Sequence, residues 1–167
     1  MNPTEEFSCD LVAWAINSKP DKKLAAKVIK EFVLWKWSTR HGKYKKCQYW
    51  SESALEQYRG GDEVSLRHEH IIPRSFLADW LIKKYSKESA TREKIFDDLA
   101  RFCLGCVLTQ NEDDSIRKDL TSKMPKDWNQ EDPWARYREA FQNREVTIWK
   151  VIWDGNNFKK TEKILSV

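Results

Sequence analysis

The stretch "SLRHEHIIPRSFL", residues 65–77, decides how the middle of this chain folds and contains two of its three histidines. Its pattern predicts a strand over residues 63–72, which Pro73 ends because proline cannot donate to a sheet. Apolar side chains then recur at helical spacing, which predicts a helix from Ser75 to Tyr85. The side chains expected to face inward are Phe76, Leu77, Trp80 and Leu81.

The two histidines of this strand are candidates for chemistry. Because side chains alternate along a strand, His68 and His70 share one face and Glu69 lies on the other. One interpretation is a metal site held by both histidines. The other makes His70 a general base, since an unperturbed imidazole has a pKa of about 6.5, while nearby carboxylates reach a metal. The pattern alone leaves both interpretations open.

A second segment supplies further carboxylates. "GCVLT", residues 105–109, is apolar and β-branched, which predicts a short buried strand. The residues that follow are acidic first and basic later, the charge order that a helix N-terminus prefers. If the two strands pair, the acidic residues at this helix start meet the histidine strand. Oxygen ligands from Glu69, Glu112, Asp113 and Asp114 would suit a hard cation such as Mg²⁺.

Together, "HEHIIPRSFL" and "VLTQNEDD" resemble the motif of the HNH, or ββα-metal, endonucleases. The resemblance is closest to the HNH domain of CRISPR effector nucleases. There, an Asp-His-Ile-Val-Pro-x-Ser-Phe-Leu run is followed by Val-Leu-Thr and a polar helix start. The matching residues here are Glu69, His70, Ile71, Ile72, Pro73, Ser75, Phe76 and Leu77, then Val107, Leu108 and Thr109. This resemblance extends over roughly a quarter of the chain.

The resemblance implies a metal-dependent DNA endonuclease that hydrolyses phosphodiesters with one Mg²⁺ or Mn²⁺ ion. His70 would activate water, and Glu69 with Asp113 or Asp114 would hold the metal. Arg74 would contact a phosphate. This sequence departs from the family pattern in three ways. Glutamate replaces the usual aspartate, an acidic residue stands where asparagine or histidine is usual, and about thirty residues separate the two halves of the motif.

The charge distribution marks a candidate nucleic-acid surface. The whole chain has a net charge of +4 and a pI of about 8.8. Residues 19–46 contain ten basic and two acidic side chains, so this segment is net +8. Such an excess is typical of a phosphate-facing surface, although a solvated helix face has the same pattern. The candidate DNA contacts in its basic loop are Arg40, Lys43, Lys45 and Lys46.

Composition bounds the class of protein. With 167 residues, 40% hydrophobic and 34% charged, the chain is expected to form one globular domain. We divide it into a basic helical part (residues 1–60), a ββα-metal core with a helical insert (63–123) and a helix with a hairpin (124–167). The beginning of the chain has neither a basic leader nor a long apolar run. We therefore expect a cytoplasmic protein without a membrane partner.

The four cysteines are too scattered for a disulfide framework, and buried free thiols are expected. Cys103 and Cys106 form a single Cys-x-x-Cys pair. A zinc site that recruits Cys47 and a histidine to this pair is an alternative.

The remaining periodicities predict an α+β fold, a ββα-metal element within a mostly helical domain. Helices are expected over residues 5–17, 21–39, 53–60 and 89–102, from residue 111, and from Pro133 at a first helical position. In the second helix, the stripe Leu24, Val28, Phe32 and Trp35 is expected to be buried. A hairpin turns at residues 154–157, with Trp149, Val151 and Trp153 on its buried face.

Two other interpretations compete with the nuclease. One is a non-catalytic module that keeps the HNH scaffold and binds nucleic acid or a protein; the acidic last ligand position and the long insert favour it. The other is a helical protein in which "HEHIIP" is accidental.

Overall fold

The computed structural model describes residues 1–18 and 21–167, and only the backbone of residues 117–119. Lys19 and Pro20, which the charge count and the second helix prediction included, lie outside the described residues. The helices are α1 (Pro3–Asn17), α2 (Lys22–Val28), a π-helical segment (Ile29–Leu34), α3 (Trp35–Ser38), α4 (Glu52–Arg59), α5 (Arg74–Tyr85), α6 (Arg92–Phe102), α7 (Gln110–Leu120) and α8 (Ala135–Phe141). The strands are β1 (Tyr49–Ser51), β2 (Leu66–His70), β3 (Gly105–Thr109), β4 (Thr147–Asp154) and β5 (Asn157–Ser166).

The strands form one five-stranded sheet in the order β2-β3-β1-β4-β5. All neighbouring pairs are antiparallel except β1 with β3, which is parallel. Helices α5 and α6 connect β2 to β3, and α7 leaves β3 directly and packs on both strands. The α+β class is thus confirmed, and the alternative of a wholly helical protein is wrong.

The histidine strand and the "GCVLT" strand pair as neighbours. His70 lies opposite Gly105, and Leu66 lies opposite Thr109. Strand β3 has the predicted bounds and is buried throughout, whereas β2 is shorter than the predicted 63–72. Ile71 and Ile72 lie beyond the end of β2, although Ile71 N still donates to Leu104 O at 3.0 Å, and their side chains are buried in two different parts of the core. Pro73 caps α5 rather than ending a longer strand.

A capping box starts α7 at the end of β3. The side-chain oxygen of Thr109 accepts from the backbone N–H of Glu112, while the Glu112 carboxylate accepts from the backbone N–H of Thr109 at 2.8 Å. This reciprocal pair satisfies two free donors and fixes the point at which the strand becomes a helix. The two residues that follow, Asp113 and Asp114, therefore fall in the early turns of α7.

The second helix buries a different stripe from the predicted one. Leu24 is 51% exposed and Phe32 is 63% exposed. The buried stripe is Ala25, Ile29, Val33 and Trp37. Both sets have the i, i+4 spacing of a helix face, so periodicity alone cannot choose between them. The choice is made by α1 and α5, which pack against the π-helical segment.

The structure also corrects where α4 and α8 begin and which side chains of α5 are buried. The N-cap of α4 is Ser51 rather than Ser53, and its hydroxyl accepts from Ala54 N at 3.1 Å. Pro133 precedes the cap residue of α8 and is not its first residue. In α5 the buried residues are Leu77, Ala78, Leu81 and Tyr85, while Phe76 and Trp80 are only half-buried.

The C-terminal hairpin is confirmed at its predicted turn. Asp154 pairs with Asn157, and Gly155 adopts a φ of +58°, a conformation that glycine reaches without strain. The prediction of one buried face holds only in part. Val151 is buried, but Trp149 and Trp153 are half-buried and Ile148 on the opposite face is fully buried. Two register shifts in the ladder explain why the facing pattern changes along the strand.

The four cysteines are buried free thiols, as predicted. Among the described residues, no helix is long and apolar enough to span a bilayer.

Candidate active site

A cleft of about 380 Å³ opens beside the end of β2. It is lined by Lys30, Trp35, His68, Glu69, His70, Pro73, Arg74, Ser75 and Thr121. Because β2 is an edge strand, side chains from both of its faces reach this one opening. The fold thereby brings His70, Glu69 and Arg74, which the sequence nominated, to a common cleft.

His70 is the most enclosed polar group of the cleft, at 7% exposed. Its Nε2 lies 2.8 Å from the hydroxyl of Ser38, and its ring lies 5.8 Å from that of Trp35. Burial, followed by the neighbouring His68, Arg74 and Arg136, holds the pKa of His70 well below its ordinary value. The imidazole is therefore neutral at pH 7.

His68 occupies the same face but a different environment. Its ring meets that of His70 edge-on at 5.5 Å and packs over Gly105, where a Cβ would lie 2.2 Å from His68 Nε2. Burial lowers the pKa of His68 to about 4, with a further lowering from Lys43. Since His70 Nε2 is engaged by Ser38, the geometry does not favour a metal shared by the two histidines.

On the opposite face, Glu69 is paired with a buried arginine. Arg136 of α8 is fully buried, and its NH2 group donates to Glu69 Oε1 at 2.8 Å. The same guanidinium donates to the carbonyl oxygens of His70, Ile71 and Leu120. Arg136 therefore fixes the end of β2 against the end of α7, and it orients the Glu69 carboxylate at the edge of the cleft.

The acidic residues of α7 lie in three different environments. Glu112 caps its own helix and accepts from the hydroxyl of Ser51 at 2.6 Å. Asp114 is exposed and accepts from the side-chain amide of Gln110 at 2.7 Å. Asp113 is fully buried. Of the two aspartates nominated as the last ligand, only Asp113 thus points into the protein.

Tyr137 of α8 is fully buried. Burial raises the pKa of its hydroxyl well above the ordinary value, and the nearby Cys106, Glu69 and Asp113 raise the pKa further.

The candidate metal ligands differ in their access to the cleft. Glu69 lines it, and Arg136 engages only one of the two oxygens of Glu69. Asp113 is fully buried and is not among the residues that line the cleft. Proteins typically hold Mg²⁺ through one or two carboxylates, with water and substrate phosphate completing the shell. Within the described parts of the chain, no three His, Cys, Asp or Glu side chains form a metal-binding group.

Two cations border the cleft on the side of α5. The Arg74 guanidinium lies 5.3 Å above the Trp35 ring and 3.4 Å from Glu31, with 30% of its side chain exposed. Lys30 lies 3.0 Å from the other carboxylate oxygen of Glu31. Ion pairs this exposed contribute little stability, so both cations can exchange Glu31 for a phosphate at small cost.

The basic loop divides into an anchored arginine and exposed lysines. Arg40 is folded inward, 3.4 Å from Glu5, donating to Trp37 O at 2.8 Å. Lys43, Lys45 and Lys46 are exposed. Tyr44 fastens the loop to β2 by donating to Leu66 O at 2.9 Å. The lysines therefore remain available to a polyanion, whereas Arg40 serves the packing of α1.

Sequence reasoning missed Ser38 and Arg136, which hold the two central side chains. Arg136 is 67 residues from Glu69 in the sequence and Ser38 is 32 residues from His70. The short helix α8 has two arginines, Arg136 and Arg138, and no local pattern singles out Arg136 as the buried one. No local signal marks Ser38 either.

Comparison with known proteins finds no matching family model, no matching curated protein and no matching solved structure.

Proposed function

We propose that this protein is a metal-dependent DNA endonuclease of HNH type, which hydrolyses a phosphodiester with His70 as general base. One observation carries the proposal. A neutral, enclosed histidine and an adjacent carboxylate end an edge strand, and the next strand leads into a helix with a buried aspartate near its start. The order strand, strand, helix and the position of His70 support the proposal, while Glu69 and Asp113 stand where the family usually has aspartate and asparagine or histidine.

In the proposed reaction, His70 accepts a proton from the water that attacks phosphorus. Its depressed pKa keeps the imidazole unprotonated at neutral pH, and Ser38 fixes the plane of the ring. In the tautomer that this step requires, Nε2–H donates to the Ser38 hydroxyl, and Nδ1 carries the free lone pair that accepts the proton.

The phosphate is held by cations at the rim of the cleft. Arg74 presents a planar fork of donors that matches phosphate oxygens, while Lys30 adds a point charge. Lys43, Lys45 and Lys46 extend the positive surface from β2 along the loop that Tyr44 anchors. These residues position the backbone of the substrate and carry no information about its sequence.

Glu69 and Asp113 would hold a Mg²⁺ or Mn²⁺ ion. When bound, such an ion stabilises the negative charge that develops on the phosphate oxygens and on the leaving oxygen. Arg136 keeps Glu69 aimed at the cleft through Oε1 and leaves Oε2 for the cation.

Nicking of supercoiled plasmid tests the proposal. The wild-type protein is expected to convert supercoiled DNA to the open circle with Mg²⁺ or Mn²⁺ and to leave it intact in EDTA. His70→Ala is expected to lose this activity. Intact plasmid with every divalent metal would overturn the proposal.

A second candidate is a non-catalytic module that binds nucleic acid with the same surface. The pairing of Glu69 with Arg136 favours it, because a resident cation already neutralises the carboxylate. The plasmid assay separates the two. A module of this kind shifts the DNA in a gel with equal strength in wild type and His70→Ala, and it does not cut.

A further inference from the structure

A second and larger groove lies beside the cleft. It has a volume of about 710 Å³, within the range of roughly 300–1,000 Å³ that is typical of ligand sites. Helix α5 forms one wall, and residues 122–130, which follow α7, form the other. Ser75 lines both the groove and the cleft, so the two openings adjoin at this residue.

The wall of the groove is aromatic. Phe76, Trp80 and Trp128 line it, and all three are half-buried. Phe76 and Trp128 contact each other edge-on at 5.5 Å, and Trp128 and Trp80 each contact the buried Phe102 beneath them. Trp80 and Trp128 thus rest on the same buried ring, and Phe76 packs against Trp128, so the three rings form one apolar wall.

The rim of the groove is positive. Lys83, Lys123 and Lys126 are exposed and line it, against one acidic residue, Asp79. Among the described residues, none of these three lysines forms an ion pair. Apolar rings within a rim of unpaired ammonium groups complement a ligand that has both flat apolar faces and negative charges.

We propose that this groove binds single-stranded nucleic acid, namely the continuation of the strand that enters the cleft. The inference rests on the proposed function, because the cleft gives the strand its starting point. Base faces pack on the aromatic wall, and phosphates follow the lysines of the rim. Stacking of this kind tolerates any base, since every base has a π-face.

An unpaired strand fits better than a duplex. In a duplex the faces of the bases are covered by their neighbours, and only the edges and the backbone remain for contact. Half-buried rings in a groove can contact base faces only where the strand is unstacked. An apolar peptide fits poorly, because it has no negative charges for the lysines of the rim. An acidic peptide does have such charges, so it serves as the competing ligand in the experiment.

Binding in EDTA tests the groove separately from catalysis. Fluorescence anisotropy is measured with a labelled 12-nucleotide oligo-dT, with a duplex of equal length and with a labelled oligo-glutamate peptide. Trp80→Leu is expected to weaken oligo-dT binding by about tenfold, because one stacking contact is lost. Trp14→Leu removes an exposed tryptophan from α1 and is expected to have no effect.

The salt dependence tests the lysines. Log affinity decreases linearly with log salt concentration, and the steepness reflects the number of phosphate contacts. In the double variant Lys123→Gln/Lys126→Gln, this dependence is expected to become shallower by about 1.4, which corresponds to the loss of two phosphate contacts on a single strand. Lys159→Gln/Lys163→Gln, on the opposite edge of the sheet, removes the same charge and is expected to leave the slope unchanged.

Three results would overturn the groove proposal. These are unchanged oligo-dT binding in both groove variants, equal binding of the duplex, or binding of the peptide in preference to oligo-dT. The proposed function fails separately. A protein that binds oligo-dT through the groove but never nicks plasmid supports the groove and contradicts the nuclease. If the protein nicks plasmid but its groove variants bind oligo-dT as tightly as wild type does, the nuclease is supported and the groove proposal is contradicted.

Discussion

The fully buried guanidinium of Arg136 donates to Oε1 of Glu69 at 2.8 Å and so joins α8 to the edge strand of the cleft. The same group donates to three backbone carbonyl oxygens of β2, its continuation and α7. One side chain therefore satisfies four acceptors at the point where the candidate ligand is held.

We predict that Arg136→Met lowers the free energy of unfolding by about 3–5 kcal/mol, because it leaves a carboxylate and three carbonyl groups without a donor. Urea unfolding measures this loss. Arg138→Met is the matched control, since Arg138 is on the same helix but half-exposed, and its loss should cost less than about 1 kcal/mol. Equal costs for the two variants would show that Arg136 does not organise the site.

Metal affinity should distinguish the two aspartates of α7. Asp113→Asn is expected to weaken Mn²⁺ binding by about tenfold or more, since it removes an anionic oxygen ligand. Asp114→Asn serves as the control, because Asp114 is exposed and bonded to Gln110. Titration followed by the electron paramagnetic resonance signal of free Mn²⁺ measures the affinity, on samples whose near-ultraviolet circular dichroism confirms folding. A larger loss in Asp114→Asn would reverse the assignment.

Gly105 and His68 should be energetically coupled. A Cβ at position 105 would lie 2.2 Å from His68 Nε2, so Gly105→Ala is expected to cost roughly 1–3 kcal/mol through overpacking. The double variant with His68→Ala removes the clash and should be more stable than the sum of the single changes predicts. In Gly60→Ala the nearest atom is 3.4 Å from the new Cβ, so a smaller cost is expected. Strictly additive effects would contradict the packing of His68 on Gly105.

Part of the decrease in the free energy of unfolding at acidic pH should come from the protonation of Glu52. The hydrogen bond from Lys160 and then that from Trp149 hold the pKa of Glu52 below its ordinary value. The folded state therefore favours the ionised carboxylate, so the stabilisation is present above the unfolded pKa of 4.5 and is lost as the pH falls below it.

Glu52→Gln should therefore be less stable than wild type at pH 7 by about 0.5–1 kcal/mol, and the difference should shrink as the pH falls below 4.5. Urea unfolding at several pH values gives the comparison. Glu162→Gln removes a more exposed carboxylate, on β5 beside Lys150, and serves as the control. If the stability difference between Glu52→Gln and wild type does not change with pH, the pairing of Glu52 with Lys160 is not its source.

Local sequence patterns were enough to predict most elements. The strand at residues 105–109, the turn after Asp154 and the acidic start of α7 each follow from a short run of residues. The helix of residues 22–38 was predicted as an element, but its buried stripe was not. Two adjacent apolar stripes are both compatible with the helical period, and only the packing of α1 and α5 selects Ile29 and Val33 over Phe32.

Only those residues of the candidate site that lie within short sequence motifs could be predicted. Glu69, His70 and Asp113 lie within short motifs, and the strand pairing brings the motifs together. Ser38 and Arg136 come from distant segments, and no local pattern encodes a contact over 32 or 67 residues. Arg40 was nominated for DNA by its charge, but its inward packing against Trp37 depends on tertiary structure.

The role of His70 is tested most directly by the single-turnover cleavage rate of a labelled DNA duplex in Mn²⁺. His70→Ala is expected to lower the rate by roughly 10²–10⁴-fold, and added imidazole should restore part of it because it replaces the missing base. His41→Ala, which removes an exposed histidine, should cleave at the wild-type rate. If His70→Ala cleaves as fast as wild type, the account of this cleft as a histidine-dependent nuclease site is wrong.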